Sequence, residues 1–242
     1  MVQPAFSTRW TWRDLHPREY QLVRELDLPG VVKAHDFTHA AGHWVFAQED
    51  FGGDSLARLG LAANIDIGEF LAVAEAIAGH VAAVHQKSVI HKDLNPANIV
   101  LDRRSGVVKL IDFGIGTRLQ RETVAFDHPS LVEGTPAYLS PEQTGRINQP
   151  IDHRSDLYSL GCTFYELLTG RPPFESTDLI ELIHCHLARS PEPPHARRHD
   201  VPPMLSAIIE RLMAKNAANR YRSARPPRDR NRDRADRTTA VE

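Results

Sequence analysis

The sequence predicts an α+β fold, on three observations. A helical pattern from about Glu19, carried by Tyr20, Leu22, Val23 and Leu26, stops at Pro29-Gly30 and gives way to two strand-like segments, Val31 to Phe37 and His43 to Glu49. An apolar stripe at helical spacing covers 65–86 and is followed by two short strands, Ile99 to Leu101 and Val107 to Ile111. The last third reads as helices punctuated by glycine and proline.

In chain order, residues 1–18 are mixed and aperiodic, with Trp10, Trp12 and Pro17, and differ in character from the rest of the chain. Trp44 and Phe46 alternate with Val45 and Ala47 in the second strand, and Gly52-Gly53 ends the region. Ile67, Phe70, Leu71, Ala74, Ile77, Ala78, Val81 and Val84 form the stripe of the long helix, read as core. The turn-rich DRRSG joins the two short strands, and an irregular stretch runs from Asp112 to about Ile151. LYSLGCTFYELLTG is apolar nearly all round, which predicts a buried helix closed by Gly170. Amphipathic helices are predicted over Asp178 to Leu187 and Pro202 to Lys215. The tail, 225–242, is rich in arginine and aspartate with almost nothing apolar, so disorder is expected. Its interleaved aspartates weaken the alternative of a nucleic-acid-binding arm.

Composition excludes several classes. A chain of 242 residues, 41% hydrophobic and with net charge -2, is not built for bulk electrostatic attraction to nucleic acid or membrane. No apolar run is expected to reach a membrane span, and the N-terminus does not read as a signal peptide. Cys162 and Cys185 supply neither a disulfide framework nor a four-ligand metal site, which makes the cytoplasm the expected location. His184-Cys185-His186 has the residue types of a metal site, but adjacent helical positions diverge, so packing is the favoured reading.

Chemistry is concentrated in two places. VIHKDLNPANIVLD (89–102) sets Asp93 and Asn98 five positions apart between apolar runs, and Asp112-Phe113-Gly114 comes directly after the strand VVKLI. Moving the terminal phosphoryl of ATP needs Mg2+, oxygen ligands to hold it, and a group that orients the acceptor hydroxyl. Asp93 offers a carboxylate for the hydroxyl proton, Asn98 an amide oxygen for one metal, and Asp112 a second metal-binding carboxylate.

In this order HKDLNPAN, DFG, EGTPAYLSPEQ (133–143), DLYSLG (156–161) and Arg220 in NRY resemble the protein kinase superfamily, from about Glu19 to Ala224. The resemblance implies a two-lobe fold, with a reduced upper lobe over 19–53 and a mostly helical lower lobe over 54–224. It implies ATP, Mg2+ and a protein substrate, with Asp93 as base and Asn98 and Asp112 as metal ligands. Asn95 would lie beside the transferred phosphoryl, and Glu49 and Phe51 would join Asn98 and Asp112 in contacting the nucleotide. Glu19 would be the helix carboxylate that normally pairs with a strand lysine. Glu142 would pair with Arg220, and Asp156 would brace the loop around Asp93. GTPAY points to the serine/threonine class, with Thr135 near the acceptor residue. EDFGGDSL, EQTGRIN and FYELLTGRPPFESTD resemble the kinase module that heads large bacterial proteins carrying an ATPase and a sensor histidine kinase.

Three departures from the pattern shape the expectations. Lys92 stands where many members carry arginine, so weak dependence on activation-segment phosphorylation is expected. Asn95 stands where lysine is usual, which removes a positive charge from the transition state. The first glycine is Gly30 and the first lysine Lys33, both after Glu19, so the glycine-rich hairpin and its lysine are expected to be missing, as in an N-terminally truncated kinase. A binding module without catalysis is therefore the alternative to an active enzyme. A small-molecule phosphotransferase is disfavoured by SPE at 140–142 and by DLYSLG.

Overall fold

The computed structural model describes residues 12–40, 43–62, 64–118 and 134–224. The tail over 225–242, expected to be disordered, lies outside the described residues, as does most of the segment 1–18.

Helix α1 spans Trp12–Leu26 and so starts well ahead of Glu19. Its first turns carry no apolar stripe, and Pro17, which reads as a break, is accommodated inside it at the loss of one donor. Strands β1 (Ala34–Ala40) and β2 (His43–Gln48) form an antiparallel hairpin with Phe37 opposite Phe46 and His39 opposite Trp44. The first strand begins later than predicted because Val31 and Val32 are used elsewhere. Both are buried, and the Val32 N–H donates to Leu110 O (3.0 Å) while the Leu110 N–H donates to Gly30 O (2.8 Å). Those two bonds fasten the small region to the rest of the molecule. Gly30 permits the approach, since a Cβ there would lie 2.0 Å from His80 Nδ1. Phe37 stacks on Trp44 (centroids 5.0 Å apart), and Tyr20 from α1 stacks on Phe37 (5.8 Å).

The larger region contains two small sheets. Strands β3 (Asp54–Ser55), β5 (Ile99–Asp102) and β6 (Val107–Leu110) form one sheet in the order β3-β5-β6. Strands β4 (Val89–Ile90) and β7 (Thr117–Arg118) pair with each other. The short helix α2 (Leu56–Leu59) is capped by Ser55. Helix α3 (Ile67–Gln86) is capped by Asp66, whose Oδ1 accepts the Glu69 N–H at 3.0 Å. Along α3 the buried face is Phe70, Val73, Ile77, Val81, Ala82 and Val84; Leu71, placed in the predicted stripe, is exposed. By length and composition α3 could cross a membrane (mean hydropathy 1.6), against the expectation that no run approaches a span. Its alanines raise the hydropathy without adding large apolar surface. In this fold α3 packs on α4, β4 and β6.

Helix α4 (His153–Thr169) is buried on nearly every side, as its composition predicts, and ends at Gly170 in the left-handed region (φ 87°). Around it lie α5 (Leu179–Ala188), α6 (Pro194–Arg197) and α7 (Pro203–Leu212). One apolar cluster runs from Val23 and Leu26 of α1 through α3 and α4 to Ile209 and Met213. The result is an α+β fold with a small helix-and-hairpin region on a mostly helical base.

Candidate active site

The hairpin β5-β6 determines where two of the expected metal ligands stand. Ile99 pairs with Leu110, so Asn98, just before β5, and Asp112, two residues beyond β6, leave the same end of the hairpin. The Ile111 N–H donates to Asn98 O at 3.0 Å and closes that end. His91 joins the two loops. Its Nε2–H donates to Ile111 O (3.0 Å), its Nδ1 accepts the Asp93 N–H (3.3 Å), and its ring lies 4.4 Å from that of Phe113.

Asp93 is half-buried and held at both oxygens. The Thr135 N–H donates to Oδ1 (2.8 Å), and Asn98 Nδ2 donates to Oδ2 (3.1 Å) and to the Asp93 carbonyl (2.9 Å). With its nitrogen turned to Asp93, Asn98 has Oδ1 as the atom that could hold a cation. Asn95 is tied into the same loop. Its Nδ2 donates to Asp93 O (3.2 Å) and Thr135 Oγ1 (3.1 Å), and its Oδ1 accepts the Ala97 N–H (2.9 Å). The amide is buried and its hydrogen bonds brace the loop around Asp93.

The loop rests on Asp156. This fully buried carboxylate accepts the N–H groups of His91 (2.9 Å) and Lys92 (2.8 Å) and the ring N–H of His85 (2.7 Å). Burial pushes its pKa up, but the hydrogen bond and charge of His85, with His91, outweigh it and hold the carboxyl below its ordinary range. Lys92 sits in the left-handed region (φ 69°), a conformation that costs on the order of 1 kcal/mol, and Gln143 Nε2 bonds its carbonyl at 2.8 Å. Asp112 is likewise left-handed (φ 61°), its Oδ1 accepting the Gly114 N–H (3.2 Å).

Glu19 lies buried behind Asp112. Burial first, and then the Asp112 charge, raise its pKa to about 7 against the pull of the Phe113 backbone hydrogen bond. Glu142 and Arg220 form a buried two-point pair, Nη1 to Oε1 at 2.6 Å and Nη2 to Oε2 at 2.9 Å. Arg220 also donates to the carbonyls of Ala214, Arg154 and Lys215. Glu49 and Phe51 stand between β2 and β3 with their side chains engaged by Lys109, which ion-pairs with Glu49 and lies 5.2 Å from the Phe51 ring centre. What they can offer a ligand is backbone. His85 went unrecognised in the sequence, because only folding brings it across 71 positions to Asp156.

A carboxylate fixed by two donors, with an amide oxygen and a second carboxylate at one hairpin end, is a donor set that phosphoryl transfer could use. The protein kinase domain family matches residues 7–225, and the chain belongs to that family. The match begins ahead of Glu19 and includes α1 from its first turn. Among curated proteins, the serine/threonine-protein kinase PknB of Mycolicibacterium smegmatis is 42% identical over 140 residues, 58% of this chain and 22% of that protein. A probable serine/threonine-protein kinase of Corynebacterium efficiens is 41% identical over 144 residues, covering 58% and 21%. PknB of Mycobacterium tuberculosis is 40% identical over 140 residues, covering 58% and 22%. The chain thus spans about a fifth of the length of these relatives.

Proposed function

We propose that this serine/threonine kinase domain transfers the γ-phosphoryl of ATP to a serine or threonine hydroxyl of a protein, with Asp93 as the proton acceptor. The arrangement that carries this reading is Asp93 tied to Asn98, and Asn98 paired across the hairpin end with the residues leading into Asp112. The hydrogen bonds from Thr135 and Asn98 keep the carboxylate aimed, as a base for a hydroxyl proton requires. Asn98 Oδ1 and the Asp112 carboxylate are hard oxygen donors suited to Mg2+. That ion, when bound, neutralises charge on the phosphate oxygens. The backbone of Glu49 and Phe51 would hold the adenine edge of ATP, and Asn95 would steady the Asp93 loop.

The second reading is a binding module that does not catalyse. No residue of this chain ahead of Glu19 is glycine or lysine, and Glu19 lies beside Asp112. A kinase domain lacking such groups over the phosphates would lose affinity for nucleotide along with transition-state stabilisation. The discriminating experiment measures phosphate transfer from ATP and Mg2+ to a generic protein, with Asp93→Asn as control. A fall of about 10²–10⁴ in the control supports Asp93 as base. Activity that survives the substitution removes that assignment. If the unmodified chain transfers nothing, and saturating ATP with Mg2+ does not raise its Tm, the binding module without catalysis is the better description.

A further inference from the structure

Asp93 stands between two peptide groups, and both are held. Its carbonyl accepts from Asn98 Nδ2 (2.9 Å) and Asn95 Nδ2 (3.2 Å), and its N–H donates to His91 Nδ1 (3.3 Å). Those three partners belong to the same loop as Asp93. The Lys92 carbonyl, which shares one planar peptide with the Asp93 N–H, is bonded from elsewhere. Gln143 Nε2 donates to it at 2.8 Å from 51 positions further along the chain.

The partners of that amide decide its orientation. Gln143 Oε1 accepts the Ser140 N–H (3.2 Å) and the Ser140 hydroxyl (2.8 Å). A backbone N–H can only donate and a carbonyl can only accept, so the amide cannot be turned end for end. Gln143, Ser140 and Lys92 are all buried, where a donor or acceptor that loses its partner is costly. The turn carrying Gln143, Pro141–Thr144, is itself anchored. Its Glu142 takes the two-point contact of Arg220 and a hydrogen bond from the Ser155 hydroxyl (2.7 Å).

Gln143 therefore joins a fixed turn to the peptide that enters Asp93. That peptide needs holding, because Lys92 is left-handed (φ 69°) and relief of its strain would rotate the peptide plane. Lys92 O and Asp93 Oδ1 lie against one residue, Gly134, whose added Cβ would stand 3.4 Å from the first and 3.6 Å from the second. A rotated plane would swing the carboxylate away from the Thr135 N–H that Oδ1 accepts. We propose that Gln143 is a positioning residue: its amide pins the Lys92–Asp93 peptide to the buried turn and so sets the direction in which the Asp93 carboxylate leaves the loop. The inference rests on Asp93 being the proton acceptor.

The test uses the whole chain. In unmodified protein the Gln143 side-chain amide protons should exchange slowly with solvent, and rapid exchange overturns the proposal whether or not any variant folds. Gln143→Met keeps an unbranched side chain of similar length and removes the donor. Amide exchange at Thr135 should then quicken about fivefold or more, as for a lost hydrogen bond, while Ile77 and Val81 of α3 keep their protection. Unchanged Thr135 exchange in a folded Gln143→Met protein overturns the proposal. In phosphate transfer the variant should lose about tenfold or more in kcat at an unchanged KM for ATP, because a misdirected base weakens the chemical step and not nucleotide binding. Lowered stability with kcat unchanged marks a purely structural amide and overturns the proposal as well. A chain whose exchange behaves as expected but which transfers no phosphoryl removes the kinase reading and leaves the anchoring of Asp93 in place.

Discussion

The Asp156 carboxylate accepts two successive backbone N–H groups, those of His91 and Lys92, from a position 65 and 64 residues further along the chain. A buried side chain thereby sets the backbone of the loop that carries Asp93. The relationship explains how Lys92 tolerates a left-handed conformation, since its N–H and its carbonyl are both hydrogen-bonded.

Asp156→Ala leaves those two N–H groups and His85 without an acceptor in a dry interior. The expected loss is about 3–5 kcal/mol, read by chemical denaturation. The same carboxyl gives a pH signature. Its folded pKa is depressed, so its stabilisation is fully present above the unfolded value near 4 and is lost as pH falls below that toward the folded one. Stability that stays level from pH 6 to pH 3 would contradict this.

Arg220→Ala strands Glu142 as an unpaired buried carboxylate and frees three backbone carbonyls. A destabilisation of about 3–5 kcal/mol is expected. Arg220→Lys should recover only a minor part, because an ammonium cannot reproduce the two-point contact. Denaturation midpoints of the two variants, compared at equal m-value, decide the matter.

Glu19 titrates in the opposite sense to Asp156. Its folded pKa near 7 lies above the ordinary 4.5, so between these values the folded chain binds a proton that the unfolded chain has released. Stability should therefore fall as pH rises from about 4.5 to 7 and change no further above it, by an amount of up to about 3 kcal/mol. Glu19→Gln should flatten this dependence and be more stable than the unmodified chain at pH 8 with no divalent cation added. An unaltered pH profile in the variant would show that the carboxyl is not perturbed.

Gly161 lies where α4 crosses the end of α7, and a Cβ there would stand 2.8 Å from Leu212 Cβ and 2.8 Å from Met213 Cγ. Gly161→Ala should cost about 1–3 kcal/mol by overpacking, despite the better helix propensity of alanine. A variant as stable as the original in thermal unfolding would mean that the two helices can separate freely.

The long periodic elements are legible in the sequence. The stripe of α3, the all-round apolar α4 with its closing Gly170, and the hairpin around β5 and β6 all come from local pattern. Short elements are not legible. Strands β3, β4 and β7 are two residues long, and α2 and α6 four, so none contains a full period of any pattern. Leu71 is misplaced by the pattern because an alanine-rich helix offers several nearly equal stripes, and only its packing partners choose between them.

The α+β class, the candidacy of Asp93, Asn98 and Asp112 for phosphoryl-transfer chemistry, and the family pattern around them are all written in the amino-acid order. Those features are local, carried by spacing and by the chemical types of neighbouring residues. Folding in three dimensions was needed to reveal that Asn95 braces its own loop, that His85 and Asp156 support the loop carrying Asp93, and that Tyr158 meets both His186 and Lys215. Each of these depends on a buried polar group finding a partner, sometimes one far away in the chain. No sequence periodicity records which partner a desolvated donor will find, whereas the cost of leaving it unpaired makes the folded chain find one.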